Sequence, residues 1–215
     1  MRRGIRLVVA LAVVVVGLGF APRPASAFGH LWDISEIYSN ADGGVQFIEM
    51  FSDTSSGENL LSLMFLRSAG SVQEFHFPTD LAGSTLNRHL LVATAGFASQ
   101  PGAVTPNYVM PNGFIRIQGD TLSFWSEDQG GGPYGGLPPT QWDSYTFGAG
   151  ALPTDGVRSI QRDHTVIAVG TTSPTNYAGQ VGSLTAVPEP ASALLLGAGL
   201  AAVAAARRRG LAGRG

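Results

Sequence analysis

The sequence predicts an all-β domain of sandwich or barrel type, followed by one short apolar helix at the C-terminus. Three observations point that way. Between the two ends, apolar residues recur mainly with a period of two, the mark of half-buried strands. No stretch there shows the spacing of an amphipathic helix. The chain of 215 residues holds 29 glycines and 13 prolines, which divide it into short runs. Many short strands separated by turns are stable when stacked in two layers or closed into a barrel.

Taken in order, strands are expected at 31–39, 45–51, 60–67, 72–77, 89–93, 113–118, 121–125, 142–147, 157–161 and 166–169. The first two form a hairpin, because Asn40-Ala41-Asp42-Gly43-Gly44 lies between them and Asp-Gly supplies positive-φ turn positions. On the second strand Val45, Phe47, Glu49 and Phe51 share one face, while Gln46, Ile48 and Met50 share the other. Both faces are thus partly apolar, and Glu49 must find donors if it is buried. In the fourth strand Phe75 and Phe77 face the core and His76 faces solvent. Residues 96–112, with three prolines, and 129–140, almost wholly Gly, Pro and Tyr134, are expected as irregular loops. Residues 170–186, rich in Gly, Ser and Thr, are expected as a flexible linker.

Charge and cysteine content exclude several classes. There is no cysteine, so disulfides, thiolate metal sites and thiol nucleophiles are excluded. Residues 28–186 hold five arginines against 14 carboxylates, a balance of 5 − 14 = −9. Such a surface repels phosphate backbones, and no nucleic-acid partner is expected.

Both ends read as addresses. Arg2, Arg3 and Arg6 precede an apolar run at 7–20, and Ala25-Ser26-Ala27 then offers a cleavage site before Phe28. This is the layout of a secretory signal peptide over residues 1–27, read by the secretion machinery and cut by signal peptidase. The apolar run of 14 residues is shorter than the roughly 20 a spanning helix needs. Arg6 stands where a twin-arginine signal wants an apolar residue, so the general route is expected.

At the other end Pro188-Glu189-Pro190 is followed by an apolar run at 191–206 and by Arg207-Arg208-Arg209. An apolar helix closed by arginines stops in the membrane with the arginines in the cytoplasm. Its 16 residues, at about 1.5 Å each, make a short transmembrane helix.

Pro188, Glu189 and Pro190, the apolar helix and Arg207, Arg208 and Arg209, in that order over the last 29 residues, resemble the PEP-CTERM sorting signal of exopolysaccharide-producing Gram-negative bacteria. The resemblance implies that a membrane transpeptidase, the exosortase, recognises residues 187–215 and removes the tail, so that these are substrate residues. A retained single-span anchor is the alternative.

The run Asp33-Ile34-Ser35-Glu36-Ile37-Tyr38 into Phe47-Ile48-Glu49-Met50-Phe51 resembles the opening of the lamin-tail domain, an immunoglobulin-like β-sandwich. Phe75-His76-Phe77-Pro78, Gly119-Asp120-Thr121-Leu122, Trp142 to Phe147 and Asp155-Gly156-Val157-Arg158 follow in the family's order, so that the likeness extends over most of residues 31–163. Ser52 stands where that family has Asn, and its Leu-x-Gly-Trp element is blurred into Leu60-Leu61-Ser62-Leu63. The resemblance implies a lamin-tail-like sandwich over residues 28–169 and no defined ligand site.

Chemistry-bearing motifs are few. Gly130-x-Gly132-x-x-Gly135 has the text of a dinucleotide fingerprint but lies in a proline-interrupted loop, with no helix to receive a pyrophosphate. His30, His76, His89 and His164 are too scattered to form a ligand set, and Asp163-His164 are strand neighbours that point apart. No catalytic residue is expected. Asp42, Asp53 and Glu58 are the candidate calcium ligands, although turn chemistry already explains Asp42, and no metal or cofactor is expected. Among Tyr108, Trp125, Tyr134 and Trp142, the two tryptophans are expected in the core, and Tyr134 is the candidate for stacking on a sugar ring.

The expectation is a non-catalytic exported protein, sorted by exosortase to the cell envelope or the exopolysaccharide matrix for a structural or adhesive role. Its alternatives are a polysaccharide- or calcium-binding module and a hydrolase using loop carboxylates. Expected partners are signal peptidase, exosortase, the membrane before processing, and exopolysaccharide.

Overall fold

A computed structural model describes residues 29–127, 138–163 and 166–185. Among them the strands are β1 (Asp33–Ser39), β2 (Gln46–Ser52), β3 (Met64–Ser68), β4 (Gln73–His76), β5 (Arg88–Thr94), β6 (Tyr108–Met110), β7 (Asp120–Ser126), β8 (Thr140–Phe147), β9 (Arg158–Asp163) and β10 (Val166–Thr171). They form two sheets, in the orders β10-β9-β1-β2-β5-β6 and β4-β3-β7-β8. All pairings are antiparallel except β5 with β6. The architecture is all-β and two-layered, consistent with the expected β-sandwich. Residues 1–28 and 186–215, where the signal peptide and the terminal helix are expected, lie outside the described residues.

Alternation places the core as expected. Ile48 and Met50 of β2, Leu90 and Val92 of β5 and Ile160 of β9 meet Met64 and Leu66 of β3 and Leu122 and Phe124 of β7 in one buried cluster. Phe75 and Phe77 join it, while His76 between them is exposed. The β1–β2 turn places Gly43 at φ 71°, a conformation that residues with a Cβ rarely adopt. The Asp42 carboxylate in that turn accepts the Gly44 N–H at 2.8 Å.

One ion pair joins the two layers. Arg162 of β9 donates through both terminal nitrogens to Asp143 of β8, at 2.6 and 2.8 Å. Asp143 also accepts the Ile34 N–H at 2.8 Å, next to an irregularity in β1 between Ile34 and Glu36. The hydrogen bonds to Asp143 raise the Arg162 pKa further, against the opposing effect of its partial burial.

The structure corrects four expectations. Residues 113–118 form turns rather than a strand, although Phe114 and Ile115 are buried. The side-chain amide of Gln46, fully buried, receives the Ile115 N–H at 3.0 Å and donates to the Ile115 carbonyl at 2.7 Å, replacing the ladder a strand would use. Conversely, the proline-rich stretch 96–112 contains β6, which buries Tyr108 and passes its hydroxyl to the Thr79 carbonyl at 2.7 Å. Trp142 is not core: it is 39 % exposed and lies against the His30 ring. Trp125 is half-buried on the outer face of the four-stranded sheet, covered by the Arg67 guanidinium.

The fourth correction is the linker. β10 continues to Thr171, and beyond it Thr172, Asn176 and Leu184 are buried, Leu184 in a cluster on the outer face of the six-stranded sheet and Tyr177 against the main core, so the folded unit does not end at 169.

Candidate functional site

The outer face of the six-stranded sheet carries a second, smaller core of Tyr38, Phe47, Leu91, Ala93 and Phe97, and Leu184 from the closing segment completes it. This accounts for the apolar residues on both faces of β2, since each face has its own cover. Burial pushes the Tyr38 phenol up to about 12, with Asp155 and Asp42 adding to the effect.

Beside that cluster two carboxylates sit opposite each other in register, Glu36 on β1 and Glu49 on β2, both buried. Like charges in such positions repel, and each needs donors to remain there. Half of the donors come from the closing segment, and the Ser35 hydroxyl adds one to Glu49 at 3.4 Å. Glu36 accepts the Ser159 hydroxyl at 2.5 Å, the Ser173 N–H at 3.0 Å and the Ser173 hydroxyl at 3.0 Å. Glu49 accepts the Thr175 N–H at 2.5 Å and contacts the His89 ring nitrogen Nδ1 at 2.7 Å. All four carboxylate oxygens are engaged, so the pair serves as a latch for residues 173–175.

Further contacts hold the rest of the segment. Asn107 accepts both the Leu91 and Tyr177 N–H groups through its side-chain oxygen, joining β5 to the segment. Asn176 donates to the Thr105 carbonyl at 3.0 Å, and the Leu184 N–H donates to the Thr172 hydroxyl oxygen at 3.1 Å. Ser183 donates its N–H to the Gly102 carbonyl at 3.0 Å. Gly102, at φ 82°, is needed for this approach, since a Cβ there would run into the Ser183 carbonyl.

The latch has a pH signature. Burial raises the Glu36 pKa above 4.5, more than its hydrogen bonds to Ser159 and Ser173 lower it, and the Glu49 charge adds to the rise. The folded protein therefore holds a proton on Glu36 in the window just above 4.5 where the unfolded chain has lost it. Stability from this group is full below that window and falls as pH rises through the folded pKa. Glu36→Gln, a neutral stand-in for the protonated side chain, should flatten this limb of a plot of Tm against pH, leaving Tm nearly unchanged below the window and raising it above. An unchanged limb would show that another group titrates there.

The other sequence candidates are placed as follows. Glu58 is buried and receives the His30 and Leu31 N–H groups at 2.8 and 3.3 Å, with His30 Nδ1 at 3.0 Å, so it pins the start of the domain. Asp42 serves its own turn, and Asp53 is half-buried beyond the end of β2. The structure does not bring Asp42, Asp53 and Glu58 together, and among the described residues no three His, Cys, Asp or Glu side chains gather as a metal site. Tyr134, Ala25, Ala27, Phe28, Pro188, Glu189, Pro190, Arg207, Arg208 and Arg209 lie outside the described residues. Glu36, Ser173 and Thr175 were not singled out by sequence. Tyr177 and Leu184, apolar groups inside a supposed linker, were the available signal.

Residues 186–209 match the model of the PEP-CTERM protein-sorting motif. The match takes in Pro188, Glu189, Pro190 and the three arginines, and begins one residue after the last described residue of the closing segment. The motif marks an exported protein sorted by way of the membrane, with exosortase as its processing partner. No family match confirms the lamin-tail likeness. No curated protein and no solved structure matches the chain.

Proposed function

We propose that the chain is a non-catalytic exported protein whose folded domain is the cargo of its own sorting tail. Signal peptidase cuts after Ala27, the helix at 191–206 holds the product in the inner membrane, and exosortase processes the tail at the Pro188-Glu189-Pro190 region. The domain, a lamin-tail-like immunoglobulin-type sandwich, then serves a structural or adhesive role at the cell envelope or in the exopolysaccharide matrix of a Gram-negative bacterium. The observation that carries this reading is the sorting-motif match at 186–209. The latched segment supports it, because sorting signal and cargo are joined by folded rather than loose chain.

The test is deletion of residues 186–215 in the native host. The expected product is exported, folded and strand-rich, since all ten strands and Leu184 of the smaller core lie before the deletion, but it is lost from the envelope fraction. Unchanged envelope retention of the deleted form would defeat the proposal. Replacement of Pro188, Glu189 and Pro190 by alanine should leave the unprocessed form in the inner membrane.

A further inference from the structure

We propose that the closing segment, residues 172–185, gates the processing of the chain's own tail: while it is docked, exosortase cannot take up the Pro188-Glu189-Pro190 region, and its release makes that region available. The inference rests on the reading of residues 186–209 as an exosortase substrate.

Chain length sets the constraint. Among the described residues Leu184 is the last that is buried, at 3 % exposure in the smaller core, and with Thr185 it borders a hollow lined by Tyr38, Asn40, Val45 and Gln100. Pro188 lies 188 − 184 = 4 positions further on, a reach of at most about 14 Å for fully extended chain. That is no longer than the radius of gyration of a domain of this size, about 15 Å. An enzyme that cuts a backbone takes several residues on each side of the bond as extended chain in a cleft. In the docked state Thr185, Ala186 and Val187 alone separate the anchored Leu184 from Pro188. The bulk of the domain therefore meets the enzyme before the cleft can fill.

The segment can open without the rest of the fold. The Leu184 N–H donates to the Thr172 hydroxyl oxygen at 3.1 Å, so residues 172–184 form a loop that starts and ends at one place. Within it Thr175 bridges Val181, but the loop adds no strand to either sheet, and Val181 is 67 % exposed. It is held to the domain through the Glu36, Glu49 and Asn107 side chains and the Gly102 carbonyl. Attachments of this kind open locally at lower cost than the strands. Once the loop is released, the nearest strand residue is Thr171 of β10, 188 − 171 = 17 positions before Pro188, and the reach grows to about 60 Å. Processing then follows the fraction of molecules in which the loop is open, as cleavage of a transiently opened chain does when opening and closing are fast.

The test follows pulse-labelled full-length protein in the native host and reads conversion of the precursor to the shorter, processed form. Leu184→Ala is expected to convert roughly 30-fold faster than the wild type, the factor by which the open fraction rises. An insertion of about 20 Gly and Ser residues between Thr185 and Ala186 adds roughly 25 Å of tether and leaves the docked loop untouched. It should convert at least as fast, and Leu184→Ala should add nothing in that background. A wild-type rate in either variant overturns the proposal, as does a gain from Leu184→Ala that persists in the inserted chain. Slower conversion of Leu184→Ala also overturns it, since the docked loop would then present the motif rather than withhold it. Should Leu184→Ala be degraded, the insertion, which changes none of the described residues, decides alone. All these outcomes leave the sorting reading standing, because the tail is still cut. Conversion in no form, or conversion undiminished after replacement of Pro188, Glu189 and Pro190 by alanine, overturns that reading and the gate with it.

Discussion

Asp143→Ala is expected to lower the melting temperature by about 6–12 °C. The carboxylate is 8 % exposed and Arg162 16 %, so removal of one partner leaves a largely buried guanidinium without its counter-charge. Breaking a pair of this kind costs about 3 kcal/mol, and for a domain of this size each kcal/mol moves Tm by roughly 2–4 °C. Part of the loss comes from the Ile34 N–H, which also donates to Asp143. Asp143→Asn, which keeps an acceptor for that group, should therefore lose less than the alanine variant. Thermal unfolding followed by near-ultraviolet circular dichroism reads both. A change below about 1 kcal/mol in the alanine variant, the range of an exposed pair, would mean that the two layers are not joined here.

Leu184→Ala should release the closing segment while leaving the main core folded. Leu184 is 3 % exposed in the smaller cluster, and truncation of a buried leucine costs about 2–5 kcal/mol. Because the segment follows β10 and adds no strand to either sheet, the loss falls on a local opening rather than on global unfolding. The amide hydrogens of Ser173 and Thr175, which donate to Glu36 and Glu49, report it directly. Their exchange should accelerate roughly 30-fold, the factor that 2 kcal/mol represents, while exchange at Leu90 and Val92 in the core stays slow. Unchanged protection at Ser173 and Thr175 would show that the carboxylate latch holds the segment without the leucine.

These two sites differ in how far they could be read from sequence. The strands around Ile48, Leu66 and Phe124 follow from alternation, because a period of two shows in a handful of neighbouring residues. The turn at Asp42-Gly43 was legible for the same local reason. Residues 113–118 misled, since Phe114 and Ile115 have strand-like composition and yet are docked by the amide of Gln46, 69 residues away from Ile115. β6 was hidden by its prolines, because a short parallel strand needs only its three residues to be extended against β5. Trp142 was assigned to the core by its size, but β8 is the last strand of its sheet and leaves that side chain beside His30 at the rim.

By itself the sequence determined the all-β class and the positions of most strands. It also carried the sorting motif, which a processing enzyme reads along the chain, so its order of features is its meaning. Only the tertiary structure decided the fate of residues 172–185. Their serines, threonines and glycines have the composition of a linker, and nothing local distinguishes them from one. Their partners lie far back in the chain: Ser173 meets Glu36 across 137 positions and Thr175 meets Glu49 across 126. Two buried carboxylates need donors, and the folded sheet brings them to a stretch of chain that supplies two backbone N–H groups and a hydroxyl.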